Sequence, residues 1–235
     1  MKILICFSFL CIPLLSCIKK NNDLVIQAAT LMHTDTSKTY LALGDSYTIG
    51  ESVHADQRYP AQTANLLRIQ NIDIKDPDII AVTGWTTADL IDALNLNPPR
   101  KTYSVVSLLI GVNNQYQHKS LDAYKIEFTE LLNWAISYAG NNKDHVFVIS
   151  IPDYSVTPFA SAMDTADIAR QIDNFNDANK KISQDAGVHY LDITGISRQA
   201  KNTSSLTASD GLHPSGDQYR LWSELLAPLM LAELH

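Results

Sequence analysis

Five short, nearly continuous apolar runs recur along this chain, at Tyr40 to Leu43, Ile79 to Val82, Val105 to Ile110, Val146 to Ile151 and Val188 to Ile193. Strands that bury only one face alternate polar with apolar residues, whereas runs like these suit strands covered on both faces, as in parallel sheets. Between them lie amphipathic helical stretches at Pro60 to Gln70, Leu121 to Ala139 and Ile168 to Asp185, and a last one spans Asp217 to Leu231. Strand and helix in alternation predict an α/β fold, a three-layer α/β/α sandwich around a central parallel sheet of about five strands.

In such sheets, sites form at the carboxyl ends of strands, near the point where strand order reverses. The first run ends in Gly44-Asp45-Ser46, the second in Gly84-Trp85 and the third in Gly111-Val112-Asn113-Asn114. A fourth segment, Asp210-Gly211-Leu212-His213-Pro214-Ser215, arrives just before the final helix. Each segment alone also serves as plain turn chemistry, since Gly tolerates positive φ while Asp, Ser and Asn bond nearby backbone groups.

The pair Asp210 and His213 says more. A separation of three on one turn lets the carboxylate reach Nδ1 of the imidazole and leaves Nε2 for a serine. A hydroxyl, an imidazole base and an orienting carboxylate are the parts of serine-dependent acyl transfer. That chemistry passes through a tetrahedral oxyanion, for which the Gly84 N–H and the Asn113 amide are suitable donors. The Gly-x-Ser-x-Gly elbow of α/β-hydrolases is absent, because Thr48 stands where its second glycine would be.

Taken together and in order, the four segments resemble the SGNH hydrolases, the GDSL-type esterase and lipase superfamily. Gly44-Asp45-Ser46 matches the first block, Gly84 the second, Gly111-Val112-Asn113 the third and Asp210-x-x-His213 the last. The resemblance implies an SGNH or flavodoxin-like sheet, a Ser46 nucleophile, His213 as general base and then acid, and Asp210 orienting the imidazole. It implies an oxyanion hole from the Ser46 and Gly84 N–H groups and the Asn113 side chain, with no cofactor and no metal. Three positions depart from the common pattern: Tyr47 replaces an aliphatic residue, Trp85 an aspartate and Asn114 an acid. They bear on substrate and loop bonding rather than on the chemistry.

Aromatic residues gather in the same loops, namely Tyr47, Trp85, Tyr116, Tyr154 and Phe159, as an apolar acyl or aryl pocket would require. The segment Ile151 to Phe159 is the expected substrate-shaping wall. None of the seven histidines lies in a metal-ligand spacing such as His-Glu-x-x-His.

The amino-terminal end speaks to compartment. Lys2 precedes an apolar run from Ile3 to Leu15, too short to span a bilayer comfortably, which closes in Leu14-Leu15-Ser16-Cys17. This looks like a bacterial lipobox. The expected organisation is a signal peptide over 1–16, a tether over 17–37 and one hydrolase domain over 38–235, with Cys17 lipidated and the protein exported to the periplasmic or surface side of a membrane. All three cysteines, Cys6, Cys11 and Cys17, lie in this end, so the mature chain is expected to hold no disulfide, thiol nucleophile or thiolate metal site.

The formal net charge of −7 and the lack of a basic run after Lys19-Lys20 argue against nucleic acid as a partner. The expected partner is a small-molecule or lipid ester, and oligomeric state is left open. Two alternatives stand beside ester hydrolysis at large: a deacetylase of O-acetylated carbohydrate, and a lipid-anchored binding protein whose site is vestigial.

Overall fold

The computed structural model describes residues 36–235. The expected signal peptide and lipobox and nearly all of the expected tether therefore lie outside the described residues. The five apolar runs form five strands: β1 Tyr40–Gly44, β2 Asp78–Ala81, β3 Val105–Leu109, β4 Val146–Ile149 and β5 His189–Leu191. All pair in parallel, in the order β2-β1-β3-β4-β5. This is the flavodoxin-like arrangement, whose switch point lies between β1 and β3.

Burial follows from that order. Every residue of β1, β3 and β4 is buried, whereas the edge strands β2 and β5 are partly exposed. The β2 edge also carries Asp78, paired with Lys101 at 2.8 Å and accepting from Tyr103 Oη at 2.9 Å. A charged edge residue of this kind discourages pairing with another chain.

Among the described residues, eight α-helices surround the sheet: α1 Ser46–Ile49, α2 Tyr59–Ile69, α3 Thr87–Leu96, α4 Val112–Tyr116, α5 Leu121–Tyr138, α6 Thr165–Ala186, α7 Thr194–Arg198 and α8 Gly216–Leu234. Helices α2 and α8 pack on each other, and α3, α5 and α6 form a second packed group. The interior is mostly apolar. Leu41, Leu43, Val106 and Leu108 are fully buried, each such side chain contributing about 1.5–3 kcal/mol through loss of water contact. One polar strand of contacts crosses the core, where Ser107 Oγ meets Tyr40 Oη at 2.9 Å and Tyr59 Oη at 3.2 Å.

The long helices match the periodic stretches to within a few residues. Helix α3 begins in a capping box: Thr86 Oγ1 accepts from Asp89 N–H while Asp89 Oδ2 accepts from Thr86 N–H at 2.8 Å. Helices α1, α4 and α7, of four or five residues, are too short for an apolar period to reveal. No helix among the described residues is long and apolar enough to cross a membrane.

Register sets what comes next. Gly44 lies opposite Ala81 on one side and Leu109 on the other. The three loops that follow β1, β2 and β3 therefore leave the sheet at one level.

Candidate active site

The chain turns sharply after β1. A Cβ at Gly44 would fall 2.1 Å from Thr48 Oγ1 and 2.3 Å from the Leu109 carbonyl, so only glycine lets the strand end this close to β3 and α1. Asp45 then caps α1, its Oδ1 accepting from Tyr47 N–H at 3.0 Å. Ser46 is the first residue of that helix and is almost fully buried.

Asp45 itself is wholly enclosed, and its Oδ2 has no hydrogen-bond partner among the described residues. Desolvation pushes its carboxyl up to about 7 against the pull of the N–H groups of Tyr47, Gly111 and its own residue.

His213 lies on the loop between the turn at 209–210 and α8. Its Nδ1 is 2.6 Å from Asp210 Oδ2, and Asp210 Oδ1 accepts from the Leu212 and His213 N–H groups at 2.9 and 3.0 Å. Gly211 between them has φ 74, a left-handed conformation that a side chain would strain. Burial works against charge on Asp210, but Ser52 Oγ, the two N–H groups and the His213 ring outweigh it and hold the carboxyl well below the usual carboxylate range. Tyr47 presses edge-on against the His213 ring, with centroids 5.6 Å apart.

The loops after β2 and β3 meet beside Ser46. Gly84 has φ 87, and its N–H finds no acceptor among the described residues. Asn113 Nδ2 donates to the Trp85 carbonyl at 2.9 Å, which uses one of its two hydrogens and leaves the other for a ligand. Its neighbour Asn114, where an acid is usual, is buried and bonds the start of α3: Oδ1 accepts from Thr87 N–H at 2.9 Å, and Nδ2 donates to Thr87 Oγ1 at 2.6 Å. That pair of bonds fixes α4 against the loop that carries Gly84.

Ser46, Gly84, Asn113 and His213 line one cavity of about 160 Å³, and Asp210 stands behind His213. No hydrogen bond joins Ser46 Oγ to the imidazole, a contact that often closes only around substrate. Tyr116, Tyr154 and Phe159 form an apolar wall, mutually packed with ring centroids 6.1 to 6.4 Å apart. Tyr47, Val112 and Leu212 complete the apolar lining. Trp85 departs from the expectation: its side chain packs on the core, and it serves the site through its carbonyl.

The wall is tied down at both ends. Phe159 N–H donates to the Gly211 carbonyl at 3.0 Å, and buried Asp153 accepts from Arg198 Nε at 2.8 Å. Ser52, whose Oγ donates to Asp210 Oδ2 at 2.6 Å, was not singled out in the sequence, nor was Asp153. Ser52 carries no local signal, since its partner lies far away along the chain, and the local cap of Asp153 on the Ser155 N–H does not reveal its tie to Arg198. Among the described residues no group of three His, Cys, Asp or Glu could hold a metal ion.

The GDSL-like Lipase/Acylhydrolase family matches the chain over residues 42–221. Similar solved structures include TesA, at a TM-score of 0.64 and 16% identity, covering 84% of this chain and 100% of that one. The psychrotrophic esterase EstA from Pseudoalteromonas sp. has a TM-score of 0.60 and 16% identity, covering 83% and 97%. The acetylxylan esterase Axe2 from Geobacillus stearothermophilus has a TM-score of 0.57 and 19% identity, covering 84% and 94%. No curated protein sequence matches.

Proposed function

We propose that this chain, which belongs to the GDSL-like lipase/acylhydrolase family, hydrolyses carboxylic esters through an acyl-enzyme formed on Ser46. The observation that carries the reading is the 2.6 Å contact between His213 Nδ1 and Asp210, set in the wall of the cavity that Ser46 also lines. With Nδ1 donating to the carboxylate, Nε2 is the free base. Ser46 Oγ attacks the ester carbonyl carbon as Nε2 takes its proton, and Asp210 stabilises the imidazolium that forms. Charge on the tetrahedral oxygen is met by the Ser46 and Gly84 N–H groups and by Asn113 Nδ2. The imidazolium then gives its proton to the departing alkoxide, and water repeats the sequence in reverse to release the acid.

Hydrolysis of a series of p-nitrophenyl esters, from acetate to palmitate, tests this reading. Wild type should turn over part of the series, and Ser46→Ala should abolish turnover while retaining the fold. Full activity in Ser46→Ala would sink the assignment.

A narrower reading, a deacetylase of O-acetylated carbohydrate, requires a short acyl group, and on that point the size of the cavity bears. A space of about 150 Å³ takes one benzene ring, so 160 Å³ suits an acetyl or other short acyl group better than an extended chain. Activity confined to acetyl esters, with sugar acetates preferred, would select it. The vestigial binding protein finds no support in a site whose base, acid and donors are all present.

The lipobox reading extends the proposal to location. Lipidated at Cys17, the domain would act on esters reaching the outer side of a bacterial membrane. Cell fractionation tests this: Cys17→Ser should move the protein from the membrane to the soluble fraction, and unchanged membrane association would refute the anchor.

A further inference from the structure

The loop after α1 ties the site together through a residue that the mechanism above does not use. Ser52 has φ 66, in the left-handed region where a Cβ is strained and glycine is the usual occupant. It is not glycine. What its side chain adds is Oγ, which donates to Asp210 Oδ2 at 2.6 Å across 158 positions of sequence.

That oxygen is the one facing His213 Nδ1. The other carboxylate oxygen takes its two N–H donors from Asp210's own loop, at Leu212 and His213. Ser52 is therefore the donor to this acid that comes from a different element. Its loop in turn hangs from the nucleophile, because the Gly50 and Glu51 N–H groups both donate to the Ser46 carbonyl at 3.0 Å. Glu51 also reaches the oxyanion side, its Oε2 accepting from Thr83 Oγ1 at 2.5 Å, next to Gly84. One short loop thus connects the nucleophile, the acid and the oxyanion turn.

We propose that Ser52 is a positioning residue for ester hydrolysis, its hydroxyl holding the Asp210 carboxylate in the rotamer that keeps His213 aimed at Ser46. The proposal rests on the hydrolase reading above. It explains why a strained serine occupies a glycine position: a glycine there relaxes the backbone but leaves Asp210 Oδ2 with the imidazole alone. Asp210 is then held only by donors of its own loop, with no bond from another element to fix Oδ2 against the imidazole.

The test uses the difference between strain and hydrogen bonding. Ser52→Gly removes Oγ and relieves the positive φ, so its melting temperature should equal or exceed that of wild type while kcat falls about tenfold with KM little changed, the scale for losing one hydrogen bond to a charged group. Ser52→Ala should lose similar activity and melt lower. The proton between His213 Nδ1 and Asp210, followed by NMR, should shift or broaden in Ser52→Gly. Wild-type kcat together with an unmoved Nδ1 proton in that variant would overturn the proposal. If wild type cleaves no ester, the hydrolase reading fails, and the Nδ1 proton, observed without turnover, still decides whether Ser52 holds Asp210.

Discussion

Asn113 has two tasks for one amide nitrogen. One hydrogen of Nδ2 is spent on the Trp85 carbonyl, 2.9 Å away, which fixes the side chain's rotamer, and the other faces the cavity it lines. Pre-aimed donors of this kind stabilise a developing oxyanion without reorganising during the reaction. Asn113→Ala should therefore lower kcat by about 10²–10³ with a smaller change in KM, on the scale of losing one oxyanion donor. Steady-state kinetics beside circular dichroism checks it; a loss below about threefold in a folded variant would remove Asn113 from the oxyanion hole. At this scale much of the site was legible. Asp210 and His213 are three apart, so their pairing is a property of one turn. Ser52 was not legible, because nothing near it in sequence shows that its hydroxyl meets Asp210.

The segment from Ile151 to Phe159 acts as one element. Asp153 anchors its start, through Arg198 and through the Ser155 N–H at 2.9 Å, and Phe159 closes its end on the Gly211 carbonyl. Those contacts leave the rings of Tyr116 and Phe159 partly exposed at the cavity mouth, at 47% and 40%. Trimming Phe159 to alanine keeps the backbone bond to Gly211 and removes only the ring. The expected result is a shift toward longer acyl chains, with kcat/KM for a hexanoyl ester rising about tenfold relative to the acetyl ester, the scale for added methylenes in an apolar pocket. An unchanged chain-length profile would show that the ring does not bound the acyl group. Elements of this sort were only partly readable. The wall was expected from its place after the fourth strand, whereas its anchoring by Arg198, 45 residues from Asp153, depends on where α7 packs.

Across the whole molecule, the buried carboxylate under the nucleophile links stability to pH. Asp45 has a folded-state value of about 7, above the ordinary 3.8, so the native state keeps a proton that the unfolded chain releases. Its contribution is full below about pH 4 and is lost as pH rises to about 7, with an upper bound of roughly 4 kcal/mol. Asp210 has the opposite sign: its lowered value adds stability above about pH 4 that is lost on acidification. Urea midpoints at pH 4 and pH 7.5 separate the two. Asp45→Asn, which still offers an acceptor to Tyr47 N–H, should show less loss of stability over that range than wild type; parallel curves would mean that Asp45 is ionised throughout. Locally encoded properties were read from the chain alone: continuous apolar runs dictate strands buried on both faces, helical periods dictate the covering layers, and the residue types at the strand ends name the chemistry. Tertiary structure decided which of those ends share a cavity and which residues brace them. Strand order and register bring Ser46, Gly84 and Asn113 to one level, while Ser52, Asn114 and Arg198 find their partners only once the chain has crossed itself. The physical reason is range: a strand's hydrophobic pattern is set by its immediate neighbours, but a hydrogen bond between distant residues exists only after packing has brought their backbones together.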